Sequence, residues 1–382
     1  MPYLSSSDCL ELLASGVSAW NQWRAVAYNQ RFTTYKQEGM ADEQEGPLLQ
    51  AIDLRGANLC RVNFRDCELE GANLSGADLS EAKLYRANLR GANLSGANLH
   101  RANLNGAVLT QVNLAGARLE QASLSRTDLS GYDFSGTCLR GVNFCHTNLT
   151  GVSFKQADLT QANLHSAILH NADFSQTILH KTRFRYADLE GVNFRGCNLT
   201  RIDFTKANLS STDFSGVNLS GANLTRANLE GANLRESILQ QANLSKAKLR
   251  SADLTGTDLR NTNFNGASLV AVILTDADLS YVNLQSKNFN RARFNRTNLT
   301  GANLSRTRLD HALLQGATLV GADLREANLQ YATLEGANLV GADLSTANLT
   351  LANLLKANLL GADLSNARLV GATLPDGTKR KW

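Results

Sequence analysis

Large apolar residues recur at every fifth position over most of the chain. From Leu54 to Leu374, all 65 positions whose numbers end in 4 or 9 are Leu or Phe. Two places before them, 61 of the 65 residues are Ala, Val, Thr, Cys or Ser, and one place before them 44 are Asn or Asp. All 25 glycines between residues 51 and 374 lie two places after a Leu or Phe of this series. The pattern predicts a repeated five-residue unit with two inward side chains.

Neither a helix nor a continuous strand can use a period of five. In a helix, at about 100° per residue, successive leucines would rotate by about 140° and spiral around the whole surface. In a strand, an odd offset would send successive leucines to opposite faces. The chain must therefore turn once per unit. We expect the turns at the Gly and Asn/Asp positions, because Gly tolerates positive φ and Asn and Asp bond to nearby backbone.

The phenylalanines indicate how many units complete one coil. Eleven of the twelve in the repeat region lie at positions ending in 4, and only Phe289 lies at a position ending in 9. This alternation predicts an even number of walls, and four is the smallest even number that encloses a core. Each coil would then contain about 20 residues, and the chain would form about 16 coils stacked by nearest-neighbour contacts.

The unit "ANLSG" or "ADLSG", continued through residues 50–374, resembles the pentapeptide-repeat family, including its cyanobacterial members. This resemblance implies an all-β solenoid, a right-handed quadrilateral β-helix, here with an N-terminal α-helical cap. The predicted organisation is a helical cap and acidic linker over residues 1–46, the β-helix over residues 47–374 and a C-terminal tail over residues 375–382.

Residues 8–28 are predicted to form one amphipathic helix. Its apolar residues recur at three- and four-residue spacing: Leu10, Leu13, Val17, Trp20 and Trp23. Asp8 and Glu11 have the spacing of a capping box. We favour a cap that lays both tryptophans over the first coil, because the raw end of a solenoid must be protected. A partner-binding helix is the alternative.

Charge and composition narrow the class of protein. No apolar run is long enough to span a membrane, and the N-terminus lacks the basic region and apolar core of a secretory signal. The six cysteines include no CxxC pair, which fits a reducing compartment. We therefore expect a cytoplasmic protein without membrane attachment. The net charge of +4 is uneven, since residues 1–50 contain three basic and six acidic residues.

The sequence contains no phosphate-binding loop, zinc-ligand motif or nucleophile elbow. The best constellation is Cys145 with His165, which are twenty residues apart and are expected on adjacent coils. No third orienting residue accompanies them, and Arg185 follows in the same column. His170 and His180 are expected on other walls. The chain is therefore predicted not to be an enzyme and to have no cofactor or metal site.

Two sets of outward residues are candidate surfaces. Apolar residues near the C-terminal end suggest that an unidentified protein partner docks there, or that the chain forms a homodimer through this end: Val320, Val340, Leu360, Tyr331, Leu351 and Leu355. The alternative is scattered apolar residues without a role. Basic residues form a column and a second group: Lys206, Arg226, Lys246, Arg291, Arg293 and Arg296. A solvated surface is favoured there, because aromatic stacking residues are sparse, so nucleic acid is not the expected partner.

Lys287 is the one charged residue at a small inward position, and it precedes Phe289. A buried unpaired ammonium is costly, so we expect the wall to bulge locally or the side chain to extend outward. A notch for a ligand or partner is the alternative.

The family resemblance implies more than one function. Some pentapeptide-repeat proteins act as DNA mimics that bind DNA gyrase and present dense negative charge, whereas the chain after residue 50 contains 35 basic and 28 acidic residues. Others, in cyanobacteria, regulate cell differentiation through protein partners. The predicted function is a non-catalytic, regulatory scaffold that binds a protein along its rod or at its C-terminal end. Gyrase binding is the alternative, and nucleic-acid binding through the basic columns is the third hypothesis.

Overall fold

The computed structural model describes residues 4–38 and 46–380, with the backbone alone at Ser6 and residues 28–38. The chain forms two compact units, Met1–Ile168 and Leu169–Trp382. The first unit begins with helices α1, Ser6–Ala14, and α2, Val17–Glu38. Neither helix, over the residues described, is sufficiently long and apolar to cross a membrane. The five-residue repeats of both units contain single-residue bridges in place of extended strands.

Within each unit, residues twenty apart are neighbours in parallel bridges, such as Asn73 with Asn93 and Asn303 with Asp323. Each bridging segment bonds to the coils on both sides: the Asn93 N–H donates to the Ala72 carbonyl at 2.9 Å, and the Leu94 N–H donates to the Asn113 carbonyl at 2.8 Å. A coil of four short faces follows, and it confirms the predicted β-solenoid. The number of coils, their right-handedness and the predicted domain boundaries stay predictions.

The corners between faces have positive φ. In the first coil the Ala57 N–H donates to the Leu54 carbonyl at 3.2 Å, and Gly56 has a φ of 63°. Positive φ at this position is what a type II turn requires. The same position has positive φ in every unit from residue 51 to residue 371, in 25 glycines and 40 other residues. The predicted role of glycine is confirmed, and many L-residues adopt the same strained conformation.

Corner strain leads to a paired prediction for the second unit. Gly321 has a φ of 62°, and a Cβ there would meet no atom within 4 Å, so Gly321→Ala isolates backbone strain. We expect it to lower the free energy of unfolding by about 1 kcal/mol. Ala271 has a φ of 56°. Ala271→Gly should raise stability by a similar amount, because the same relief of strain exceeds the added freedom of the unfolded chain. Urea midpoints measure both variants, and a Gly321→Ala variant as stable as the parent would contradict the strain argument.

Phenylalanines in the second unit form two facing columns. The rings of Phe174 and Phe194 stack with centroids 5.2 Å apart, and Phe184 meets Phe194 edge to face at 5.9 Å. Positions ending in 4 therefore alternate between facing walls, as the sequence predicted. The coils lie further apart at one of these rings, since the Phe194 N–H lies 3.3 Å from the Asp213 carbonyl but the Phe214 N–H lies 2.7 Å from the Asn233 carbonyl.

Asn and Asp before the large apolar residue have two roles. The Asn93 Oδ1 accepts the Ser95 N–H at 3.1 Å, which is the predicted turn contact. The same oxygen accepts the Asn113 Nδ2 at 3.2 Å from the next coil. At Asp78, hydrogen bonds from Ser80 hold the pKa of the carboxyl below its usual value. The repeat therefore adds side-chain ladders to the backbone ladder, which the sequence analysis did not foresee.

Tyr132 occupies a small inward position in the first unit and interrupts the ladder. Among the residues described, three consecutive parallel bridges are missing beside it, those expected at 108–128, 113–133 and 118–138. The Tyr132 hydroxyl donates to the Leu109 carbonyl at 2.6 Å. A bulky ring therefore separates two coils, and its hydroxyl also lies 3.1 Å from the Val112 carbonyl, which the missing 113–133 bridge leaves without its backbone partner.

Lys287 has a similar effect in the second unit. The bridges expected at 263–283 and 268–288 are absent from the described ladder. The Lys287 carbonyl still accepts the Arg308 N–H at 2.9 Å, so the disturbance faces the preceding coil only. The Lys287 residue is partly exposed, while Phe289 is buried with its ring 5.0 Å from that of Phe294. The expected local disturbance occurs, whereas an outward side chain and a ligand notch stay predictions.

The prediction of a single helix over residues 8–28 is wrong. Gly16 has a φ of 114° and separates α1 from α2. The predicted capping box is also misplaced, because Ser5 is the N-cap: its Oγ accepts the Asp8 N–H at 3.1 Å, and Asp8 accepts the Ser5 N–H at 2.9 Å. As a consequence Leu10 is 42% exposed rather than part of the buried face.

Helix α2 covers the first coil, as the cap interpretation predicted. Trp20 is fully buried, and its ring meets Phe64 edge to face at 5.6 Å. The Trp20 Nε1 donates to the Asn63 carbonyl at 2.8 Å, and the Asn63 N–H donates to the Asn21 Oδ1 at 2.8 Å. These side chains occupy the positions that the backbone of a preceding coil occupies elsewhere. The predicted acidic linker lies largely outside the described residues.

Candidate interaction surface

Val320, Val340 and Leu360 lie in one column, as their spacing predicted. The Gly321 N–H donates to the Val340 carbonyl at 2.9 Å, and the Gly341 N–H donates to the Leu360 carbonyl at 2.9 Å. Val320 and Val340 are half-buried, but Leu360 is 73% exposed. Leu360, the last of the three side chains in the column, is therefore the most exposed.

Tyr331 and Leu351 belong to another corner, half a coil away. The His311 ring stacks on Tyr331 at 4.8 Å, and a Cβ at Gly371 would lie 2.7 Å from a methyl group of Leu351. Leu355 lies at a third corner. The six predicted apolar residues therefore do not form one patch on the side of the solenoid, and their role in binding stays a hypothesis.

The core is partly open at the last coil. Its leucines are half-buried, whereas their equivalents one coil earlier are fully buried: Leu359, Leu364 and Leu369 against Leu339, Leu344 and Leu349. The outward positions used to predict a surface did not include these inward leucines. The signal was the end of the repeat at Leu374, because the last coil has no further repeat to cover it.

The segment after the repeat covers one face of this coil. Lys379 forms an antiparallel bridge with Thr373, and the Gly371 N–H donates to the Arg380 carbonyl at 2.7 Å. Among the residues described up to 380, no carbonyl accepts the N–H of Leu359, Leu364 or Leu369. The end therefore combines apolar surface with an unpaired β edge, which is a template for pairing with another chain. Trp382 lies outside the described residues.

Lys206, Arg226 and Lys246 also form the predicted column. The Lys206 N–H donates to the Thr225 carbonyl and the Arg226 N–H to the Ser245 carbonyl, both at 2.9 Å. The Lys206 Nζ lies 2.9 Å from the Tyr186 hydroxyl, and this hydrogen bond lowers the pKa of Tyr186. The ion pairs found among the described side chains include none of the three basic residues.

The second basic group is partly neutralised. Arg291, Arg293 and Arg296 are exposed, but the Arg296 guanidinium binds both Asp276 oxygens at 2.7 and 2.6 Å. This contact lowers the pKa of the Asp276 carboxyl. Arg296 lies half a coil round from the corner of Lys246, so the structure does not join the two basic sets into one surface.

Cys145 and His165 lie on adjacent coils of the first unit, as predicted. The His146 N–H donates to the His165 carbonyl at 3.0 Å, and these two imidazole rings meet edge to face at 5.9 Å. Elsewhere, burial raises the pKa of the Cys67 thiol to about 12 and that of Cys197 to about 11. A thiol with such a raised pKa is a poor nucleophile at neutral pH.

Comparison with known proteins agrees with this architecture. Pentapeptide repeats, in eight copies, match residues 52–91, 72–111, 92–131, 102–141, 227–266, 273–310, 307–345 and 337–376. A pentapeptide repeat region matches residues 147–224. None of the curated proteins compared with the chain matches it.

Solved structures of pentapeptide repeat proteins are also similar to the chain. HetL, involved in heterocyst differentiation regulation in the cyanobacterium Nostoc sp. strain PCC 7120, is 30% identical over 68% of this chain and 92% of its own, with a TM-score of 0.21. Rfr23 from the cyanobacterium Cyanothece 51142 is 26% identical over 38% and 85%, with a TM-score of 0.16. A trypsin-treated form of QnrB1, a plasmid-mediated fluoroquinolone resistance protein, is 21% identical over 52% and 88%, with a TM-score of 0.26. Because the repeat matches extend over most of its length, the chain belongs to the pentapeptide repeat family.

Proposed function

We propose that the chain is a non-catalytic, cytoplasmic protein-interaction scaffold, and that its C-terminal end binds a second copy of the chain. The observation that carries this proposal is the last coil, where core leucines are half-buried and backbone N–H groups lack partners among the described residues. Leu360, at 73% exposure, extends this apolar surface onto the rim. Contiguous apolar surface of this kind is typical of interaction sites.

A second copy suits this end because it brings the same two features. Two identical ends can meet about a two-fold axis, so that each covers the leucines of the other and the assembly closes as a dimer. Exposed Asp363 and Arg368 lie on the same last coil and offer opposite charges for pairing across the axis. The first coil is not an equivalent acceptor, because Trp20 and Asn21 of the helical cap already occupy the backbone groups of Asn63 there. A closed dimer is therefore favoured over a filament.

Leu360→Asp is expected to convert the dimer into a monomer, because a carboxylate at the rim of the contact would lose water without gaining a partner. Size-exclusion chromatography with light scattering measures the mass. The matched control is Ile238→Asp, which changes a residue that is 41% exposed within the same unit. Asp already occupies the equivalent position one coil later, at Asp258, so this control should remain dimeric.

A monomeric parent protein at high concentration would exclude the second copy as the occupant. The scaffold itself is tested by affinity capture from native cytosol at two salt concentrations, with the Val320/Val340/Leu360→Asp triple variant as comparison. Loss of a specific protein with the triple variant would support a partner at this column. Equal capture by both proteins would contradict a site there.

The rival functions have less support. DNA mimicry requires dense outward negative charge, but many acidic groups are engaged within the repeat. Hydrogen bonds from Arg260 and Gln240, for example, lower the pKa of Asp258 to about 2. The uncompensated column of Lys206, Arg226 and Lys246 is the feature that favours nucleic-acid binding. Salt-sensitive binding of DNA would support that function, and inhibition or protection of gyrase would support mimicry.

A further inference from the structure

We infer that His170, Asp188 and Glu190 form a binding site for a divalent transition-metal ion such as Zn²⁺. One candidate ligand atom from each side chain lies within 4.8 Å of the other two. Among the side chains that the structure describes, this is the one group of His, Cys, Asp and Glu residues found at such proximity. The site goes beyond the protein-binding role proposed above and does not depend on it. The spacing of the histidines alone did not predict this site, because two of its three ligands are carboxylates.

The solenoid backbone brings the three side chains together. The Leu169 N–H donates to the Asp188 carbonyl at 2.7 Å, and the Asn171 N–H donates to the Glu190 carbonyl at 3.0 Å. These two bonds flank His170 and hold it beside the next coil. Leu189 is fully buried, so its neighbours Asp188 and Glu190 both face outward, as alternation along an extended segment requires. Two coils of a rigid ladder therefore supply the ligands.

A further residue orients the aspartate. The Asn208 Nδ2 donates to the Asp188 Oδ1 at 2.8 Å, and the other oxygen, Oδ2, lies 2.7 Å from the His170 Nε2. That nitrogen is enclosed, and its contact with Asp188, although short, lacks the alignment of a hydrogen bond. A ring nitrogen and carboxylate oxygens that converge in this way are stabilised by a cation between them. Hydrogen bonds to a ligating carboxylate, such as the one from Asn208, typically strengthen metal binding.

The ligand types select the class of ion. Imidazole nitrogen favours Zn²⁺ and its transition-metal neighbours over Mg²⁺ and Ca²⁺, which prefer all-oxygen sites. Zn²⁺ accepts nitrogen and carboxylate oxygen at about 2.0–2.2 Å, so the side chains must close around it. They are free to do so, since the His170 and Asp188 side chains are 41% and 38% exposed and Glu190 is exposed. Two carboxylates offset the charge of the ion, and three ligands leave one position for water.

Calorimetric titration of the full chain with Zn²⁺ tests the inference. The background is Cys60→Ser/Cys138→Ser/Cys145→Ser, because these three thiols are not fully buried and would also bind Zn²⁺. We expect one ion per chain in this background. His170→Ala and Glu190→Gln should each weaken Zn²⁺ binding by about tenfold or more. The circular dichroism spectrum of the folded solenoid should be unchanged in both variants.

Two histidine controls separate this site from other imidazoles. His180→Ala removes an exposed imidazole elsewhere in the second unit, and His146→Ala removes one member of the ring pair in the first unit. Both should bind Zn²⁺ like the background. Zn²⁺ should also raise the melting temperature of the background but not of His170→Ala. The inference fails if the background binds no Zn²⁺, if the His170→Ala/Glu190→Gln double variant binds normally, or if His146→Ala abolishes binding.

Discussion

Replacing Trp20 with Ala is expected to lower the free energy of unfolding of the first unit by about 3–5 kcal/mol. Trp20 is fully buried between Trp23, at 5.2 Å between ring centroids, and Phe64, at 5.6 Å. The substitution would leave a cavity over the first coil and remove the bond from the Trp20 Nε1 to the Asn63 carbonyl. The loss therefore combines packing with an unpaired backbone group.

Urea denaturation, followed by circular dichroism, measures the change at Trp20. Hydrogen exchange should localise it, because a solenoid is held by contacts between neighbouring coils, so coils near Phe64 should exchange faster than later ones. Trp23→Ala is the matched control, since Trp23 is only half-buried and should lose about half as much stability. Equal effects of the two substitutions would contradict a specific capping role for Trp20.

Replacing Phe194 with Ala is expected to lower the free energy of unfolding of the second unit by a similar amount, about 3–5 kcal/mol. Phe194 is fully buried at the centre of the phenylalanine columns. Its ring stacks on those of Phe174 and Phe214 at 5.2 and 5.3 Å and meets those of Phe184 and Phe204 edge to face. Removal of one ring therefore leaves a cavity lined by four others, and these cannot collapse fully because each is fixed by its own coil.

The control for Phe194→Ala is Phe194→Leu. Leu occupies the equivalent position in most repeats and fills part of the volume of the ring, so this exchange leaves a smaller cavity and should cost markedly less than Phe194→Ala. Thermal and urea denaturation of the two variants and the parent provide the comparison. If Phe194→Leu were as destabilising as Phe194→Ala, the particular ring contacts rather than filled volume would determine stability here.

Columns along the solenoid follow directly from its period. A coil of fixed length places each residue beside those twenty positions away, so the stacks of Val320 with Val340 and of Lys206 with Arg226 were correctly predicted. Contacts between residues at other sequence separations were not predicted. His170 reaches Asp188 at an offset of eighteen, because side chains extend diagonally from one coil to the next. Arg235 reaches Asp253 in the same way, at 3.2 Å. Part of the charge compensation, and the candidate metal site, arise from such diagonal contacts.

The ends were harder to predict than the middle. The apolar spacing alone predicted one helix over residues 8–28. In the structure Gly16 divides this segment into two helices, and Leu10 is exposed to solvent. The hydrogen-bond partners of the first coil also depend on tertiary contacts. The side-chain oxygen of Asn21 accepts a backbone N–H there, in the place that a backbone carbonyl takes elsewhere. Local patterns describe a unit with neighbours on both sides, and the terminal units have a neighbour on one side only.

The sequence by itself determined the repeated coil. Each five-residue unit has the same local features: a large and a small inward side chain and a corner with positive φ. A correct description of one unit therefore applies to all of them. The sequence marked Lys287 and the end of the repeat as irregular places, but tertiary structure alone decided the form of the irregularity: which bridges open beside Tyr132 and Lys287, and how far the leucines of the last coil are exposed. These features depend on which backbone and apolar groups lack a neighbouring coil at the right distance, and no five-residue pattern contains that information.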